Sequence, residues 1–199
     1  MAPPDPSEPF ALDFERRLDG LEPDGDAPAA TPDQAAVAAV LRPTRHGPEV
    51  LLMVRADRPG DRWSGQVALP GGKAEPEDPH LLATAVRETA EEVGLDLDRH
   101  ARPLCRLPGL QARARGGPVG LFITPYVFHA TDPGPLDLGP EAADAFWLPL
   151  AQAANGHLDD RYRLRRGEGD LLLPAWRFAD RTIWGLTHRM LSGLVDRLR

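Results

Sequence analysis

The stretch "VRETAEEVGL", residues 86–95, constrains this chain more than any other. Glu88, Glu91 and Glu92 stand three and four positions apart, with Arg87 beside them. On a helix those spacings make surface neighbours, and like charges so placed weaken the helix by roughly a few tenths of a kcal/mol per pair. A solvated outer face normally mixes lysines with its glutamates, and residues 79–95 contain no lysine. The alternative is a doubly positive ion among the carboxylates. The flanks predict the helix itself. Asp78 suits an N-cap and Pro79 a first helical position. Leu82, Ala85, Val86, Thr89 and Val93 form the buried stripe, and Gly94 is a natural stop. The three glutamates fall beside the stripe, at the seam where the helix meets its neighbours.

At 199 residues the chain is long enough for one domain with a real core. The formal charge of −7 argues against nonspecific binding to nucleic acid or acidic lipid, which rests on Lys and Arg neutralising phosphates. A phosphate ligand therefore needs local arginines or a metal. Cys105 is the one cysteine, so no internal disulfide forms; it reads as a small core residue in a reducing compartment. The N-terminus lacks the basic and apolar regions of a signal peptide, and no apolar run approaches the roughly 18–20 residues of a membrane span. A cytoplasmic protein without a membrane partner is expected.

Residues 1–33 read as an N-terminal extension, with a short helix carrying Phe10, Phe14 and Leu18 on one side and a linker, "EPDGDAPAATPD", after it. The domain is expected over residues 34–199. "QAAVAAVLRP" and "RHGPEVLLMVRA" predict two strands around a turn, and "VALPGG" a strand entering a glycine turn. "VGLFITPYVFHA" is a further strand, and "AFWLPLAQA" a strand turning into a helix. A final amphipathic helix is predicted from about Ile183. Strands and helices mix without βαβ regularity, which indicates an α+β fold: a mixed sheet with helices outside.

With its upstream glycines the opening stretch becomes "GGKAEPEDPHLLATAVRETAEEVGL", residues 71–95. This resembles the Nudix box, G-x5-E-x7-R-E-U-x-E-E-x-G-U, where U is apolar. Gly72, Arg87, Glu88, Glu91, Glu92, Gly94 and Leu95 match by type. Asp78 replaces the first Glu, one extra residue precedes Arg87, and Thr89 replaces an apolar residue. The resemblance implies an α/β/α sandwich whose loop–helix–loop motif binds Mg²⁺ or Mn²⁺ and cleaves a nucleoside diphosphate derivative. It implies the Gly71 carbonyl, Glu88, Glu91 and Glu92 as metal ligands. The implied catalytic set is Arg87, Glu88, Glu91 and Glu141, with Arg87 holding a glutamate in place. Glu141 is the candidate for the further carboxylate such sites use; otherwise it is a capping or turn acid. Carboxylate oxygens suit Mg²⁺, which keeps several of its waters.

Residues 51–72, "LLMVRADRPGDRWSGQVALPGG", resemble the signature of the family's coenzyme A diphosphatases, L-L-T-x-R-S/A-x3-R-x3-G-x3-F-P-G-G. Met53 and Leu69 depart from it, and an insertion leaves Arg58 or Arg62 as the middle arginine. Arg55, Arg58, Arg62, Arg113 and Arg115 are either phosphate ligands or solvated arginines. Trp63 and Trp184 are either adenine-stacking or packing residues. His46, His100, His129 and His157 show no metal-ligand spacing. The implied reaction is hydrolysis of coenzyme A, or a derivative, to 4′-phosphopantetheine and adenosine 3′,5′-bisphosphate. ADP-ribose, a dinucleotide or an oxidised nucleotide is the rival substrate, and a non-catalytic Nudix-fold binding module the rival class. The resemblance also allows a homodimer.

Overall fold

The computed structural model describes residues 9–18, 30–60, 63–114, 117–166 and 169–199. In chain order the elements are α1 (Phe14–Leu18), β1 (Gln34–Arg42), β2 (Glu49–Arg55), β3 (Val67–Ala68), β4 (Gly71–Lys73), α2 (Leu81–Val93) and α3 (Leu97–His100). There follow β5 (Ala101–Arg106), β6 (Leu110–Ala114), β7 (Gly117–Ala130), β8 (Ala142–Pro149) and α4 (Leu150–Ala154). The chain ends with β9 (Asp159–Arg166), β10 (Gly169–Phe178), β11 (Arg181–Trp184) and α5 (Gly185–Leu198).

The main sheet runs β3-β2-β1-β7-β5, with β4 also on β1, β6 on β7 and β8 on β2. It is mixed: β1 pairs with β7 in parallel and with β2 and β4 antiparallel. Residues 35–41 of β1 are buried throughout. That explains an unbroken apolar run where a strand with one wet face would alternate. Successive side chains point to opposite faces. Val37, Ala39 and Leu41 join Leu191, Leu194 and Leu198 of α5 in one core. Ala36, Ala38 and Val40 join Leu81, Ala85 and Val93 of α2 in another. The expected helix–sheet–helix layering follows from this alternation. β9, β10 and β11 form a separate three-stranded sheet, on which Trp184 stacks against Tyr162 at 3.9 Å between centroids. Trp184 is thus engaged in packing.

Phe14 and Leu18 of α1 are buried in the α5-side core. Arg17 donates to the carbonyls of Leu198 and Arg199, both at 2.8 Å. The linker expected over residues 22–33 lies largely outside the described residues. Cys105 is buried as expected, and burial pushes its thiol up to about 11.

Three local expectations are corrected. Asp78 does not cap α2: His80 does, its Nδ1 accepting from the Ala83 amide at 3.0 Å. The buried face of α2 comprises Leu81, Thr84, Ala85, Thr89, Glu92 and Val93, while Leu82 and Val86 are only partly covered. Glu92 lies on the same side of the helix as Leu81 and Ala85, so it enters the interface with them. The last helix begins at Gly185, because Ile183 is held in the ladder opposite Trp176. Gly94 ends α2 as expected, at φ +68°, with its N–H donating to the Ala90 carbonyl.

Candidate active site

The site forms where β4 lies against α2. Gly71 and Gly72 allow that approach. A Cβ on Gly71 would fall 2.3 Å from the Ala36 carbonyl oxygen, and its φ of +146° is one that L side chains rarely adopt. A Cβ on Gly72 would fall 2.3 Å from a Glu88 carboxylate oxygen. The Gly71 N–H donates to Glu92 Oε2 at 2.7 Å.

Arg87 organises the polar side of the helix. Its Nε and Nη2 donate to the two Asp78 oxygens at 3.0 and 2.9 Å, and Nη2 also reaches the Lys73 carbonyl at 3.2 Å. Its Nη1 donates to Glu88 at 3.1 Å and Glu91 at 3.3 Å. The Arg87 bond first, with the Glu75 amide and the Thr84 hydroxyl, holds the Asp78 carboxyl at about 2. Asp78, expected as a cap, is therefore the anchor of Arg87. The two Asp78 oxygens face Arg87, the Glu75 amide and the Thr84 hydroxyl, and the free amide of the first helical turn is met by His80 instead.

The glutamates occupy different environments. Glu92 is 2% exposed and Glu91 58%. Burial pushes Glu92 up to about 7, against the Gly71 N–H and aided by the Glu88 charge. Burial also raises Glu88, with Arg87 opposing it. The Glu141 charge adds to the upward push on both, so this carboxylate stands within electrostatic reach of the box.

The flank arrives from the loop after β2. Arg55 Nη1 is 3.9 Å from Glu92 Oε1, and Arg58 Nη1 is 2.8 Å from Glu141 Oε1. Sheet pairing explains the convergence: Arg55 registers with Ala142, and the Ala56 amide donates to the Glu141 carbonyl at 2.8 Å. Arg62, Arg115 and the side chain of Arg113 lie outside the described residues. His46, His100, His129 and His157 sit in separate turns and elements.

Two contributions were not anticipated from sequence. The segment 137–139 closes the end of α2, Asp137 N–H donating to the Val93 carbonyl at 3.0 Å and Gly139 N–H to that of Glu92 at 2.9 Å. A Cβ on Gly139 would fall 2.0 Å from the Glu91 carbonyl oxygen; the glycine before Pro140 was the available signal. Ser64 clamps the loop at Arg58, accepting from its N–H at 3.0 Å and donating to its carbonyl at 3.2 Å.

The donor chemistry fits a hard divalent cation. Every candidate donor at the helix is an oxygen, and Glu75, Asp78, Glu88, Glu91, Glu92 and Glu141 outnumber Arg55, Arg58 and Arg87. Among the described residues no three acidic or imidazole side chains close into a cage.

Residues 32–168 match the NUDIX domain family. The chain belongs to the Nudix family of hydrolases, which act on diphosphate bonds and generally use divalent metals. Among its relatives is the mitochondrial coenzyme A diphosphatase NUDT8 of Homo sapiens, 34% identical over 161 residues that span 79% of this chain and 66% of the human protein. The Nudix hydrolase NudL of Yersinia enterocolitica is 33% identical over 170 residues, 81% of this chain and 80% of that one. A solved Ap4A hydrolase from C. elegans shares the fold, with a TM-score of 0.51 at 22% identity over 60% of this chain and 82% of that one. Among the described residues no helix is long and apolar enough to cross a membrane.

Proposed function

We propose that this chain hydrolyses the diphosphate of coenzyme A, or of an acylated or oxidised form, to a 4′-phosphopantetheine product and adenosine 3′,5′-bisphosphate. The observation that carries the diphosphatase reading is the packing of Glu92 on the Gly71 amide and of Glu88 on Gly72, with Arg55 and Arg58 entering from one flank. The coenzyme A assignment is supported by the 51–72 pattern and by the similarity to the human coenzyme A diphosphatase.

Glu88, Glu91, Glu92 and the Gly71 carbonyl would hold Mg²⁺ or Mn²⁺, which when bound neutralises developing phosphate charge and acidifies a water. The chain's own residues do the rest. Arg87, fixed on Asp78, keeps Glu88 and Glu91 from swinging away. Arg55 and Arg58 supply the positive charge that a diphosphate requires in a chain of net charge −7. Glu88 and Glu141 are the two carboxylates proposed to accept the proton of the attacking water. The presence of the box carboxylates Glu88, Glu91 and Glu92 argues against a non-catalytic binding module.

A panel of coenzyme A, dephospho-coenzyme A, ADP-ribose, dinucleotides and oxidised nucleotides, with products identified by mass spectrometry, tests the assignment. A higher kcat/KM for ADP-ribose or an oxidised nucleotide would replace the substrate and keep the chemistry. No turnover of any member would leave the binding module.

A further inference from the structure

Arg58 and Glu141 neutralise each other at the mouth of the site, at 2.8 Å and with side chains 41% and 45% exposed. Neither residue is held by this contact alone. The Ser64 hydroxyl fixes the Arg58 backbone through both its N–H and its carbonyl. The Glu141 carbonyl accepts from Ala56, and the turn before it is tied to the end of α2 through Gly139. Three residues upstream of Arg58, the Arg55 guanidinium points toward Glu92. The pair thus bridges the arginine loop and the carboxylate helix, and both partners keep their backbone positions if the side chains separate.

We propose that this ion pair is a substrate-released latch. A phosphate oxygen of the substrate takes the Arg58 guanidinium, and Glu141 is freed to face the reacting diphosphate. The proposal rests on the reading above that the box receives a diphosphate. The energetics favour the exchange. An exposed ion pair contributes little, while a guanidinium engages phosphate through two parallel charge-assisted bonds. Unpaired in the empty enzyme, Glu141 would repel an incoming diphosphate. Paired, its charge is masked until a phosphate is present to displace it. No covalent bond changes in this step; one ion pair is exchanged for another. The Glu141 charge is then left without its arginine partner beside Glu88 and Glu92 only when a substrate occupies the site. Ser64 becomes a positioning residue, since it sets where Arg58 meets both partners in turn.

Calorimetric binding of the non-hydrolysable α,β-methylene analogue of ADP to the full chain with Mg²⁺ tests the latch, because every substrate considered above shares a nucleotide phosphate group. Arg58→Gln should weaken binding about tenfold or more. Glu141→Gln should tighten it about two- to fivefold, the size of one exposed ion pair. Adding Glu141→Gln to Arg58→Gln should tighten binding by less than Glu141→Gln does in the parent, since only repulsion is relieved and no guanidinium remains to be released. In turnover, Glu141→Gln should lower KM and kcat together. If Glu141→Gln binds no tighter than the parent, the latch is wrong. Equal tightening with and without Arg58 would reduce the effect to loss of a negative charge, and also overturns it. A kcat unchanged in Glu141→Gln would refute the release of Glu141 toward the reaction. Wild-type binding by Arg58→Gln would remove Arg58 from the site and the latch with it. The diphosphatase reading is judged separately, by metal-dependent turnover of the substrate panel.

Discussion

Glu92 accepts a hydrogen bond from the Gly71 amide at 2.7 Å while almost wholly excluded from water. One backbone donor does not balance a buried carboxylate, and its pKa rises to about 7. The folded protein without metal therefore retains a proton on Glu92 that the unfolded chain releases near the ordinary value of 4.5. Stability is then unaffected below the unfolded pKa and declines as pH rises through the window from 4.5 to about 7.

Glu92→Gln keeps the shape and the acceptor for Gly71 but never ionises. In EDTA it should match the parent in urea denaturation at pH 4 and exceed it by up to about 3 kcal/mol at pH 8. Turnover should fall by orders of magnitude. A stability difference that does not grow with pH, or full activity in the variant, would contradict the burial of an ionising metal ligand.

Chelation should abolish hydrolysis, and Mg²⁺ or Mn²⁺ should restore it. Binding also has to displace the Glu92 proton, so metal affinity should rise with pH up to about 7 and level off above it. Thermal shift measured against metal concentration at pH 6, 7 and 8 reads this without reference to turnover. A shift that is the same at all three values would exclude Glu92 from the site.

The two glycines of β4 should fail differently. Gly71→Ala drives a methyl into the Ala36 carbonyl at a φ that disfavours a side chain, so it should destabilise the fold by more than about 1 kcal/mol. Gly72→Ala meets the end of the Glu88 side chain. It should lower kcat at least tenfold with a smaller loss of stability, seen by comparing kinetics with denaturation midpoints. The reverse order would mean that β4 is packed otherwise.

If the flanking arginines read the 3′-phosphate of coenzyme A, dephospho-coenzyme A should be a poorer substrate by about ten- to a hundredfold, the value of one charge-assisted contact. Arg62→Ala should narrow that gap, whereas Arg58→Ala, which loses a contact to phosphate common to both compounds, should slow both alike. Equal kcat/KM on both compounds would show that the 3′-phosphate is not read.

The elements legible from sequence are those decided within a few residues. Gly94 stops α2 because only the local backbone has to turn left-handed, and the apolar run of β1 reports burial on both faces. The glutamate spacing with its glycines placed the carboxylate cluster on one helix for the same reason. What the chain does over longer separations was decided by packing. Asp78 has the composition of a cap, but Arg87, nine residues on, takes both its oxygens and leaves the cap to His80. Glu88, Glu91 and Glu92 are equivalent as letters; the seating of α2 on β4 makes Glu92 buried and Glu91 wet. Arg58 and Glu141 are 83 positions apart and meet only because β8 pairs with β2. Residue type and spacing set the kind of chemistry. Burial and long-range strand pairing, which no local pattern encodes, set which carboxylate holds a proton and which arginine it faces.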